Sequence, residues 1–151
     1  MAKLSTLSVL IVTADDYGYN ARAIEPVLEA EGIDVVGVTT IPPTIGTQNQ
    51  FSFAREVFAA FGPWLFMRQL STRATYALRD YVNRIRSEGT LYSPISLADR
   101  YGVEHVSTES VNTNEYAEYV RELDPDIVVA AGATERFESA FLSIPNKGCI
   151  N

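Results

Sequence analysis

Several residue types are scarce in this sequence: one cysteine, one histidine, one tryptophan and two methionines in 151 residues. The lone cysteine, Cys149, can close no internal disulfide. With only His105 to join it, a structural zinc site is excluded, and no metal is expected. No apolar run approaches the roughly 18–20 uncharged residues of a membrane helix, so no membrane is expected among the partners. Residues 1–5 do not lead into a long apolar stretch with a small-residue cleavage site. A signal peptide is therefore not expected, and the cytoplasm is the default compartment. Internal repeats and low-complexity segments are missing as well.

What is present is the composition of one ordinary soluble domain, 46% hydrophobic and 21% charged. The net charge of −7 is unevenly distributed. Residues 51–90 hold six arginines against three acids, and the remainder holds six basic residues against sixteen acidic ones. An acidic body argues against broad nucleic-acid binding, and the basic segment reads most simply as a solvated helix face.

The chain opens on Leu7 to Thr13, apolar on both faces and rich in branched residues, as a central parallel strand requires. A helix from about Ala23 to Ala30 follows, with Pro26 expected near its first turn, and then a strand from Asp34 to Ile41 stopped by Pro42-Pro43. Between Phe51 and Glu88 apolar residues recur at loosely helical spacing, broken at Gly62-Pro63. This predicts two helices, of about ten and about twenty residues, whose aromatic stripe packs over the sheet. Ser93-Pro94 caps a short helix closing at Tyr101-Gly102, and Val103 to Ser107 reads as a strand. A helix from Asn114 to Leu123 leads into the strand Ile127 to Ala131, the turn Gly132-Ala133-Thr134, a helix from Glu135 to Ser143 and a final strand start at Gly148. Such alternation predicts an α/β, Rossmann-like open sheet, mostly parallel, with helices on both faces and a helical insertion at about 51–88.

In such a sheet ligands bind beyond the carboxyl ends of the strands, which marks Asp15, Asp16, Tyr17 and Asn20 as candidate substrate-binding residues. Their loop has a single glycine and is no G-x-G-x-x-G dinucleotide fingerprint. Asp15-Asp16 reads as solvated or capping rather than metal-binding. His105 has no serine elbow near it and reads as structural, and Cys149 reads as a buried, inert thiol. Taken alone, these residues define a ligand crevice without naming a reaction.

Two stretches carry a resemblance. The first is Ala23 to Ala30 running into Val35 to Pro42. The second is Leu123-Asp124-Pro125-Asp126 into Ile127 to Gly132, then Phe137, Phe141-Leu142, Ile144-Pro145 and Lys147-Gly148-Cys149-Ile150-Asn151. Together they resemble the 10-formyltetrahydrofolate-dependent formyltransferases, the methionyl-tRNA formyltransferase-like group. The resemblance implies that residues 1–151 are the N-terminal part of a formyltransferase catalytic domain, truncated at its C-terminal side. It implies formyl transfer from 10-formyltetrahydrofolate to a primary amine, on methionyl-tRNA, an amino sugar of a nucleotide sugar, or a ribonucleotide. By the same match Asn151 is the catalytic asparagine, and Gly132, Ala133, Thr134, Glu135, Arg136 and Phe137 line the folate pocket. The family's histidine and aspartate would lie past position 151, so this chain alone is expected to be inactive. A non-catalytic scaffold module and an unrelated nucleotide-binding α/β domain are the alternatives.

Overall fold

A computed structural model describes residues 6–43 and 50–151. Five strands form one sheet in the order β3-β2-β1-β4-β5: β1 Leu7–Ala14, β2 Ile33–Ile41, β3 His105–Ser107, β4 Ile127–Ala131 and β5 Cys149–Ile150. All four pairings are parallel. The expected Rossmann-like architecture is the one observed.

The two-residue period of β1 organises the core. Val9 and Ile11 point to one face, where they meet Ala21 and Ile24 of α1 (Tyr19–Leu28) and Leu97 and Ala98 of α3 (Pro94–Tyr101). Leu10 and Val12 point to the other, against Tyr116 and Val120 of α4 (Asn114–Leu123) and Phe141 of α5 (Ser139–Leu142). Both faces of β1 are thus sealed, which is why its sequence is apolar without alternation. Local signals start α3 and α4 where they were expected. Ser93 Oγ accepts from the Ile95 amide at 3.2 Å, and Thr113 Oγ1 accepts from the Tyr116 amide at 3.2 Å.

The amino-terminal ends of the strands are tied by the Pro125-Asp126 pair that the resemblance had singled out. Asp126 Oδ2 accepts from the Ser8 amide at 3.1 Å, and Asp126 Oδ1 pairs with Lys147 Nζ at 2.8 Å. The Lys147 and Ser8 contacts hold this carboxyl below its ordinary value. One side chain therefore staples the starts of β1, β4 and β5.

Three local expectations need correction. Helix α1 begins four residues early, placing Pro26 deep inside it rather than in its first turn. Proline cannot donate to the carbonyl of Arg22, and burial of Ala21 and Ile24 holds the helix despite that loss. Helix α5 covers only Ser139–Leu142, because residues 135–138 are held in an extended path by side-chain contacts described below. The largest departure is α2 (Gln50–Arg86), broken at Gly62 as expected but not packed over the sheet. Phe51, Phe61 and Trp64 are 81%, 62% and 80% exposed.

Candidate functional site

From β1 the chain moves outward through β2 to β3, then crosses back to place β4 on the other side of β1. The loops after β1 and β4 therefore leave in opposite directions and open a crevice between them, the usual ligand position in this architecture. Thr13 Oγ1 donates to the carbonyl of Ala131 at 2.7 Å, fastening the two strand ends. Asn20, 5% exposed, donates from Nδ2 to the carbonyl of Ala14 at 3.3 Å. Its amide then lies against Gly132, whose φ is +68°. A Cβ at Gly132 would collide with the Asn20 side chain, so glycine is required for both conformation and space.

The Gly132–Phe137 turn is clamped from its flanks. Thr134 Oγ1 donates to the carbonyl of Pro42 at 2.8 Å, linking the turn to the end of β2. The Glu135 carboxylate accepts from Ser110 Oγ at 2.5 Å, the Val111 amide at 2.8 Å and Asn112 Nδ2 at 3.0 Å. Asn112 also donates to the carbonyl of Arg136 at 2.9 Å and accepts from the Glu138 amide at 2.9 Å. Phe137 packs edge-on against Phe141 at 5.0 Å. Thr134, Glu135 and Phe137 thus use their side chains to hold the turn. Gly132 stays exposed at its apex, and Arg136 is exposed too.

On the β1 side a cavity of about 690 Å³ lies between the β1–α1 loop and α2. Asp16 and Tyr17 line it, facing Arg22, Phe66, Arg73 and Tyr76. Gly18 (φ +114°) admits the ring of Tyr76, which would sit 2.9 Å from any Cβ there. Burial pushes the Asp16 carboxyl above its ordinary value, Asp15 adds to this, and the Asn20 amide and Arg73 oppose it. One of its oxygens, Oδ1, is enclosed with no hydrogen-bond partner. Asp15 is exposed and absent from the cavity wall.

The four residues expected from the β1 loop thus divide. Asp16 and Tyr17 line the cavity, Asn20 supports the Gly132 turn, and Asp15 does neither. The opposite wall went unread. Gln69, Thr72, Arg73 and Tyr76 follow the i, i+3, i+4, i+7 spacing of one helix face, a polar stripe within an apolar segment that would have flagged it. His105 Nε2 lies 2.9 Å from Thr40 Oγ1 on the sheet edge, away from both crevice loops. Cys149 is half-buried, and burial raises its thiol. Among the described residues no group of three or more histidine, cysteine or acidic side chains is placed to hold a metal. Asn151 directly follows β5, whose Ile150 is in register with Val129, so it stands level with Ala130, two residues before Gly132. It is exposed.

A buried carboxyl with raised affinity for its proton works against folding at neutral pH. The folded chain binds that proton more tightly than the unfolded chain does. Stability therefore falls as pH rises from the ordinary carboxylate value of 3.8 through the folded one. Asp16→Asn is expected to stabilise the fold near pH 7 by no more than about 1 kcal/mol, because the group is half-exposed, and so to raise the thermal midpoint. The gain should vanish at about pH 3.5. Melting curves at the two pH values check this, and a lower midpoint at neutral pH would refute it.

The class these features define is an open, parallel α/β domain with a ligand crevice at its strand-order reversal. No family model matches the chain. Over 69 residues it is 35% identical to the methionyl-tRNA formyltransferase of Geotalea daltonii. That match covers 45% of this chain and 22% of the relative, so the chain spans about a fifth of that protein's length. The relationship is formyltransferase-like over part of the chain. Among the described residues, no helix is long and apolar enough to cross a membrane.

Proposed function

We propose that this chain supplies the folate-binding side of an N-formyltransferase. Its reaction moves a formyl group from 10-formyltetrahydrofolate to a primary amine, in the cytoplasm. The partial identity to a methionyl-tRNA formyltransferase carries the reading. The exposed Gly132 turn fits it. Its neighbouring side chains are engaged elsewhere, leaving backbone groups at the apex to meet a flat heteroaromatic ring such as a pterin.

In the reaction the amine nitrogen attacks the formyl carbon, and the carbonyl oxygen takes up negative charge. The attacking nitrogen gives up a proton, the carbon–nitrogen bond to tetrahydrofolate breaks, and N10 leaves having taken up a proton in exchange. Asn151 is the donor assigned to the oxyanion, a contribution of about 3–4 kcal/mol in comparable sites. The acceptor amine, on methionyl-tRNA, a nucleotide sugar or a ribonucleotide, approaches from the side of Asp16 and Tyr17.

A polypeptide of residues 1–151 is expected to bind a stable folate analogue in calorimetry, with Gly132→Val abolishing the binding through its clash with Asn20. The same polypeptide is expected not to formylate amines, since the resemblance puts the histidine and aspartate of proton transfer past Asn151. Binding of a nucleotide in place of the folate analogue would overturn the assignment. Formyl transfer by residues 1–151 would overturn the role given to that pair.

A further inference from the structure

The inner and outer faces of α2 differ sharply beyond its break at Gly62. Its inner face holds the body of the protein. Asp80 accepts from the Ser93 amide at 2.9 Å and from the Tyr92 amide and Ser96 Oγ, Tyr76 stacks on Tyr92 at 4.8 Å, and Asn83 Nδ2 donates to the Thr90 carbonyl at 2.8 Å. Its outer face carries Met67, Leu70, Ala74, Leu78, Tyr81 and Ile85, spaced 3, 4, 4, 3 and 4 residues apart. That is one straight stripe at the period of an unsupercoiled helix, about 27 Å long. Every member is exposed; Leu78 and Ile85 reach 65% and 67%, and Leu70 also edges the cavity. Trp64, at the start of the same segment, is 80% exposed.

Charge decides what fits this stripe. Between Pro63 and Arg86 the only acid is Asp80, and it is buried against α3. Arg68, Arg79 and Arg86 run along one flank, and none forms a salt bridge among the described residues. Arg84, on the other flank, is paired with Asp99. The rest of the protein is strongly acidic. A second copy packed antiparallel on the stripe, by a two-fold axis perpendicular to the helix, would set the arginine rows against each other. A plane of negative charge attracts the arginine flank and repels the acidic body, which orients the molecule with its stripe inward. We propose that the outer face of α2 is a peripheral membrane-docking surface for anionic phospholipid. In this arrangement the helix lies in the interface, the stripe and Trp64 among the acyl chains and the arginines at the headgroups. This partner was not expected from the sequence, and it does not depend on the formyl-transfer assignment.

Trp64 is the sole tryptophan and reports directly on docking. The full chain is titrated with vesicles of phosphatidylcholine containing about one-third phosphatidylglycerol, and with phosphatidylcholine alone. The expected result is a blue shift of Trp64 emission and co-sedimentation with the anionic vesicles, at least about tenfold tighter than with neutral ones and weakened by salt. Leu78→Glu with Ile85→Glu abolishes the shift, and its exposed positions leave the thermal midpoint unchanged. Arg79→Glu with Arg86→Glu lowers anionic-vesicle binding by about tenfold or more. No binding to anionic vesicles, equal binding to both kinds, or a shift that survives both variant pairs overturns the proposal. It is equally overturned by a vesicle-free dimer, seen in light scattering, that Leu78→Glu with Ile85→Glu disperses.

Discussion

Phe141→Ala is expected to lower the free energy of unfolding by about 3–5 kcal/mol, enough to unfold a chain of ordinary stability at moderate temperature. Phe141 is 2% exposed and stands where α5 covers the sheet. Its ring stacks on Tyr116 of α4 at 5.8 Å and meets Phe137 edge-on at 5.0 Å. Truncation removes buried ring surface and leaves a void among Leu10, Val12, Val120 and Val128, all on rigid strands or helices that collapse poorly around it. The loss reaches the crevice as well, because Phe137 ends the Gly132 turn and would lose its support. Urea unfolding of the variant measures the effect. A change below about 1.5 kcal/mol would mean that α5 contributes little to the core.

Glu135→Ala comes next, at about 2–3 kcal/mol. One carboxylate accepts three hydrogen bonds from the loop after β3, one of them from the amide of Val111, which is fully buried. Water can replace the contacts to Ser110 and Asn112, which are partly exposed, but it has no route to the Val111 amide. The turn after β4 would also separate from the loop after β3. Folate-analogue affinity is therefore expected to fall about tenfold or more, beyond what the stability loss alone predicts. Glu135→Gln keeps an accepting oxygen for Val111 and should recover most of the stability. If Glu135→Ala bound the analogue like the unaltered chain, the clamp would have no part in shaping the crevice.

These outcomes bear on which parts of the site were legible in advance. The position of the crevice was, because a parallel α/β sheet exposes its loops at the carboxyl ends of its strands whatever their sequence. The roles inside it were not. Glu135 and Thr134 look like ligand-facing polar groups in a turn, yet each pairs with a loop more than twenty residues away. Asn20 looks like one more polar loop residue, and instead it supports the glycine of the opposite turn. Arg73 and Tyr76 belong to a segment that resembles nothing specific, and they complete the cavity wall only because α2 folds back over the β1 loop. Pairings across such distances are set by chain topology, and local spacing holds no record of them.

The sequence by itself determined the elements whose causes are local. The apolar run of β1, the Ser93-Pro94 and Thr113 helix starts, the Gly62-Pro63 break and the alternation that demands a parallel sheet all rest on near neighbours and on the side-chain period. Only the tertiary structure decided how far α5 extends, where Pro26 is tolerated, and that the aromatic stripe of α2 faces outward instead of covering the sheet. The physical reason is the same in each case. A residue's own preference amounts to a few tenths of a kcal/mol up to about one, while burial against distant partners or a buried carboxylate clamp amounts to several.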